Sequence, residues 1–101
     1  MLFAFFCVDA PNSLEGRKKA RPAHLERLKA LEEEGRLVLA GPHPAPNAEG
    51  DGAGEGFIGS LVVADFPSLS EAEAWAAADP YFEAGVYAEV TVKPFIKALP
   101  Q

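Results

Sequence analysis

Apolar residues run without a break from Leu2 to Val8 and stop at Asp9 and the Pro11-Asn12 turn signal. A run of this length, rich in Phe, suits a strand buried on both faces, and it falls far short of the ~20 residues a membrane span needs. It has neither a basic lead nor a small-residue cleavage site, so it is not expected to be a leader. The polar stretch from Ser13 to Arg21 carries no period that fixes a conformation. Pro22 fits a first helical position, Leu28 and Leu31 then share a face with Leu25 on its flank, and Gly35 closes the predicted helix. Arg36 to Ala40 reads as a second strand ended by Gly41-Pro42, and Phe57 to Ala64 as a third. Ser68 and Glu71 stand in capping-box spacing at the head of a second helix that runs to Ala78. Asp79-Pro80 ends it, and Pro80 to Ala84 adds one more helical turn before Gly85. The last strand alternates, with Val86, Ala88, Val90 and Val92 on one face and Tyr87, Glu89 and Thr91 on the other.

The order β-α-β-β-α-β predicts an α+β, ferredoxin-like domain spanning 1–101: a four-stranded antiparallel sheet, order 4-1-3-2, with both helices on one face. This topology places the start of the first helix and the end of the second at the same edge of the sheet. His24 and Asp79, far apart in sequence, are therefore expected to meet at one end of the molecule. The topology also poses a burial problem. The first three strands are apolar on both faces while the helices cover only one, so a second copy of the chain, packed sheet to sheet, is expected to cover the other.

Charge narrows the range of partners. Nine Lys and Arg against fifteen Asp and Glu leave a net charge of -6, which repels phosphate backbones and anionic lipid, so neither nucleic acid nor a membrane is an expected partner. The single Cys allows no intrachain disulfide, as is usual for a cytoplasmic protein. Gly41 to Gly56 holds five of the nine Gly and three of the nine Pro, which marks a long loop expected to be mobile and to flank the site.

Several candidate motifs fall away on context. Gly54-Glu55-Gly56-Phe57-Ile58-Gly59 matches a dinucleotide fingerprint by letter, but it enters a strand where the fingerprint must leave one. Gly56 to Val62 echoes an RNA-recognition strand, yet Glu55 stands where a basic residue is wanted and the stacking aromatics are missing. Cys7, mid-strand among aromatics, reads as a small hydrophobe. His43 lies between two prolines in the loop and is expected to be solvated. Two His without a Cys partner fall short of a structural zinc site, and neither metal nor cofactor is expected.

His24 carries the chemistry. At 100° per residue it projects with Leu28 and Leu31, toward the core rather than the solvent. A His at the core edge and an Asp capping the Pro80 turn each have a purely structural explanation. Their convergence on one edge is what makes them a candidate acid/base pair. In that pair Asp79 accepts a hydrogen bond from one imidazole nitrogen and leaves the other facing a cleft. The helix start and the carboxylate then act on the ring in opposite senses. Ser60 is the candidate for steadying a developing oxyanion.

At Arg21-Pro22-Ala23-His24-Leu25, Gly41-Pro42, Gly56-Phe57-Ile58-Gly59-Ser60 and Asp79-Pro80-Tyr81 the chain resembles the YciI-like (YCII-related) family, and the resemblance continues to Val92-Lys93-Pro94-Phe95. It implies a ferredoxin-like domain that dimerises into an α/β barrel, with an active-site cleft built round a His-Asp pair that falls on His24 and Asp79. A chlorinated-hydroquinone dehydrochlorinase resembles this family, and muconolactone isomerases share the wider barrel architecture. The functional expectation is a lyase or isomerase in which His24 moves a proton on an unidentified small molecule. The alternative is a non-catalytic homodimer that binds a metabolite in the same cleft, and a structural interaction module comes third.

Overall fold

The computed structural model describes residues 1–46 and 56–100. The elements follow as β1 (Leu2–Asp9), α1 (Leu14–Glu33), β2 (Leu37–Pro44), β3 (Phe57–Asp65), α2 (Leu69–Ala77), α3 (Pro80–Glu83) and β4 (Tyr87–Phe95). The sheet is antiparallel throughout with order β2-β3-β1-β4, which is the expected ferredoxin-like arrangement read from the other edge. Phe3, Phe5 and Cys7 of β1 lie across from Ala64, Val62 and Ser60 of β3 and face the helices. Phe3, Phe5, Val62 and Ala64 make the core with Leu28 and Leu31 of α1 and Ala72 and Ala76 of α2.

Three elements differ from the sequence reading. Helix α1 begins at Leu14, two turns before Pro22, which lies inside it. Its buried stripe is Arg17, His24, Leu28 and Leu31. The helical period is therefore present in the N-terminal half, but a charged residue and a His occupy the inward positions, so no apolar repeat announces it. Strand β2 continues through Gly41-Pro42-His43-Pro44. It pairs only with β3, and on such an edge strand a proline's missing N–H falls where no ladder bond is required. The expected loop of 41–56 thus starts later. Positions 47–55, on which its expected mobility mainly falls, lie outside the described residues.

The third difference is a bulge in β4. Val8 pairs with Glu89 but Asp9 with Tyr87, so Ala88 is an extra residue. The slip turns Tyr87 onto the helix face, where it is buried in the core that Val90 and Val92 also pack against, instead of the outer face that simple alternation predicts. Gly59 marks a close approach, since a Cβ there would collide with the backbone carbonyl of Cys7. β1 and β3 can lie this close only because that position carries no side chain.

The face away from the helices remains open. Phe6, Val8, Leu39 and Phe95 project from it, each more than two-fifths exposed. No helix among the described residues is long and apolar enough to cross a membrane.

Candidate functional site

Two chain segments build the core of the site. Asp79 follows the C-terminus of α2, where Pro80 forces the residue before it into extended backbone (φ −66°, ψ 134°). There its Oδ1 accepts the Tyr81 N–H at 2.8 Å, which caps the short α3. α3 packs on α1, and the same carboxylate meets His24. His24 Nδ1 lies 2.9 Å from Oδ1 and 3.0 Å from Oδ2 of Asp79, with both side chains buried. The cap and the contact with His24 coexist, because Oδ1 serves the cap while both oxygens face the imidazole. Facing a carboxylate, Nδ1 carries the proton and Nε2 is left as the basic nitrogen. Nε2 has no hydrogen-bond partner among the described residues, and the ring lines a cavity of about 470 Å³.

That cavity lies between α1 and the β2–β3 half of the sheet, with Leu25, Leu28, Ala40, Pro42, Phe57 and Val62 as apolar walls. Its polar groups are Arg17, Lys18, Arg21, His24, Ser60 and Tyr81, and no acidic side chain lines it among the described residues. A chain of net charge -6 therefore gathers three cations at one cavity. The helix field expected at His24 is not there: the residue stands ten positions past Leu14, and the dipole's influence fades within the first turn.

Arg17 is the member the sequence reading missed. Its Nε donates to Asp9 Oδ2 at 2.8 Å, and its Nη2 donates to the Gly59 carbonyl at 2.9 Å and to Ser60 Oγ at 2.6 Å. The guanidinium also sits 5.0 Å above the Tyr81 ring and 5.1 Å above that of Phe57. Burial works against its charge, but the hydrogen bond and charge of Asp9 outweigh it and hold the pKa above the ordinary value. Ser60 faces the helix side of the sheet and lines the cavity. As acceptor from Arg17 it keeps its own O–H free to donate. The available signal was an Arg seven positions, two helical turns, before His24.

Tyr81 completes the site. Its ring stacks on His24 with centroids 3.8 Å apart and planes 10° from parallel, and Tyr87 stands edge-on to both. Burial raises the Tyr81 phenol above its ordinary value, against the pull of the Arg17 and Arg21 charges. Tyr87 is raised further, again by burial, and its hydroxyl has no hydrogen-bond partner among the described residues. Cys7 is buried in β1, and desolvation pushes its thiol from 9.0 up to about 11. His43 lies in β2 beside Gly59, on the open face and away from His24. Among the described residues no three His, Cys, Asp or Glu side chains gather as metal ligands.

The raised thiol sets an alkaline limit on stability. Unfolded, Cys7 ionises near 9; folded, it holds its proton to about 11. Its contribution is fully present below pH 9 and is lost as pH climbs through 11, at about 1.4 kcal/mol per pH unit for each such group. Urea midpoints measured from pH 8 to 11 are expected to fall in that window, and Cys7→Ala is expected to flatten the fall. An unchanged slope in the variant would contradict it.

Comparison with known proteins bears on the family and the fold. The model of the YCII-related domain matches residues 1–96. The chain is 55% identical over 97 residues to Protein YciI of Escherichia coli O6:H1, covering 96% of this chain and 98% of that one. It is 53% identical, over the same shares, to an uncharacterized protein of Haemophilus influenzae. Among solved structures it is similar to 5-chloro-2-hydroxyhydroquinone dehydrochlorinase from Burkholderia phenoliruptrix, in complex with 2,5-dihydroxybenzoquinone. The TM-score is 0.82 at 27% identity, over 95% of this chain and 94% of that one. With a matching domain over almost its whole length and relatives at more than half identity, the chain belongs to the YCII-related family.

Proposed function

We propose that this protein is a small-molecule enzyme of the lyase or isomerase type, in which His24 removes a proton from an acidic C–H or phenolic O–H of a small organic anion. One observation carries the reading: the imidazole presents Nδ1 to a buried carboxylate while its ring lines a cavity. Nε2 takes the proton, Asp79 stabilises the imidazolium that forms, and the electron pair left on the substrate becomes an enolate or phenolate oxyanion. The Ser60 hydroxyl, fixed by Arg17, and the charges of Arg17 and Arg21 oppose that developing charge in a largely apolar cavity. In a lyase cycle the oxyanion's electron pair expels an anionic leaving group and Nε2 releases its proton to water, while return of that proton at another carbon completes an isomerase cycle. The dehydrochlorinase to which the chain is similar acts on a hydroxylated, chlorinated ring, which fits a flat substrate with acidic hydroxyls.

The working unit in this reading is a cytoplasmic homodimer whose open sheet faces meet, since Phe6, Val8, Leu39 and Phe95 otherwise stay in water. The test of function is an assay of chloride release from 5-chloro-2-hydroxyhydroquinone, with 2,5-dihydroxybenzoquinone as a binding probe. Turnover, or binding of the quinone weakened at least tenfold by Arg17→Met, is the expected result. If neither molecule is turned over or bound, and no other enolisable anion is, the assignment fails.

A further inference from the structure

Asp79 has a second charged neighbour besides His24, the partly buried Arg27. Arg27, one turn along α1, places Nη1 3.5 Å from Asp79 Oδ2, on the side of the carboxylate away from the α3 cap. Its other terminal nitrogen, Nη2, donates to the Trp75 carbonyl near the end of α2 at 2.9 Å, and the guanidinium lies 4.6 Å over the Trp75 ring. Nη1 itself is buried with no hydrogen-bond partner among the described residues. Burying half a guanidinium without an acceptor is costly, and among the described residues the one anion it faces is the carboxylate that holds His24. Arg27 does not line the cavity and so does not meet a ligand there.

We infer that Arg27 is a positioning residue that shares the Asp79 charge with His24 and so opposes protonation of the imidazole, which has to act as a base. The inference rests on the reading of His24 and Asp79 as a working pair. A carboxylate facing the ring alone favours the imidazolium, and a cation on its other oxygen offsets part of that attraction. The other groups around the ring do not duplicate this role. On α1, Arg17 is tied to Asp9 of β1, and Arg21 faces the cavity. From α3 the Tyr81 ring stacks on His24, from β4 Tyr87 meets it edge-on, and from β3 Ser60 is engaged by Arg17. The Cys7 thiol of β1, pushed upward by burial, stays protonated near neutral pH. A plain strut between α1 and α2, through the Trp75 carbonyl, is the competing role for Arg27.

Imidazole titration by NMR separates the two roles without any substrate. Arg27→Gln keeps a donor for the Trp75 carbonyl and removes the charge. Its His24 titration midpoint is expected to rise by about half a pH unit or more. Arg27→Lys retains the charge and is expected to titrate as the unsubstituted protein does, while Asp79→Asn lowers the midpoint. If Asp79→Asn lowers it and Arg27→Gln leaves it in place, Arg27 is only a strut and the inference is overturned. A midpoint that ignores Asp79→Asn would instead defeat the His-Asp reading itself. Should Arg27→Gln not fold, the Lys variant decides: an upward move there, with the charge still present, also overturns the inference.

Discussion

Replacing His24 with Asn is expected to lower turnover by about 10²–10⁴-fold, the usual range for loss of a positioned general base. Asn cannot accept a proton near neutral pH, so the base is gone. Its side-chain amide can still donate to the Asp79 carboxylate, so no buried charge is left without a partner, and the apolar stripe of Leu28 and Leu31 is untouched. Folding should survive, and the melting temperature should move by a few degrees at most. Binding of a substrate analogue should change much less than kcat, because Arg17, Arg21 and the apolar walls remain. Asp79→Asn should cost turnover less. Asn still caps α3 and its Oδ1 can still accept from Nδ1, but it carries no charge to stabilise the imidazolium that forms. Steady-state kinetics on whichever substrate the chloride-release and binding assays identify would check both. Full activity in His24→Asn would defeat the mechanism.

Phe6→Glu is expected to convert a dimer into a monomer. Phe6 sits at the centre of the open face, paired with Leu61 of β3 and Thr91 of β4 on the inner strand of the sheet. Stable dimers of this kind bury on the order of 2,000 Å² or more in total, and the exposed Val8, Leu39 and Phe95 around Phe6 supply apolar surface for such a contact. Two copies related by a two-fold axis would bring two carboxylates into one desolvated layer, a cost that apolar contact does not offset. Light scattering after size exclusion should give twice the 10.7 kDa chain mass for the unsubstituted protein and the chain mass for the variant. A stable monomer before substitution would remove the argument from the open face.

Arg17 shows why half of the first helix could not be read from the chain. A helix is recognised by apolar residues returning every three or four positions, and that rule assumes an apolar neighbour on the inward side. Here the inward side of residues 14–24 faces a cavity and the end of β1, so the period is filled by Arg17 and His24. The Asp9 that pairs with Arg17 reads locally as the residue that stops a strand. Tyr87 was misplaced for a different reason: a single extra residue, Ala88, inverts the alternation from that point on, and nothing in the local sequence distinguishes a bulge from a regular strand.

By itself the sequence determined the order of elements, the antiparallel topology and the meeting of His24 with Asp79 at one edge. These follow from local period, turn residues and the handedness of connections, each of which acts over a few residues or over the path of the chain. Only the tertiary structure decided that the Asp79 carboxylate serves three groups at once, His24, Arg27 and the α3 cap. The tertiary structure likewise brought Arg17 to Ser60, forty-three positions away, and gathered three cations at one cavity of an acidic protein. Those are properties of atoms within a few ångströms of one another. Burial there raises the worth of every charge and hydrogen bond, and no spacing along the chain encodes which side chains will share that small volume.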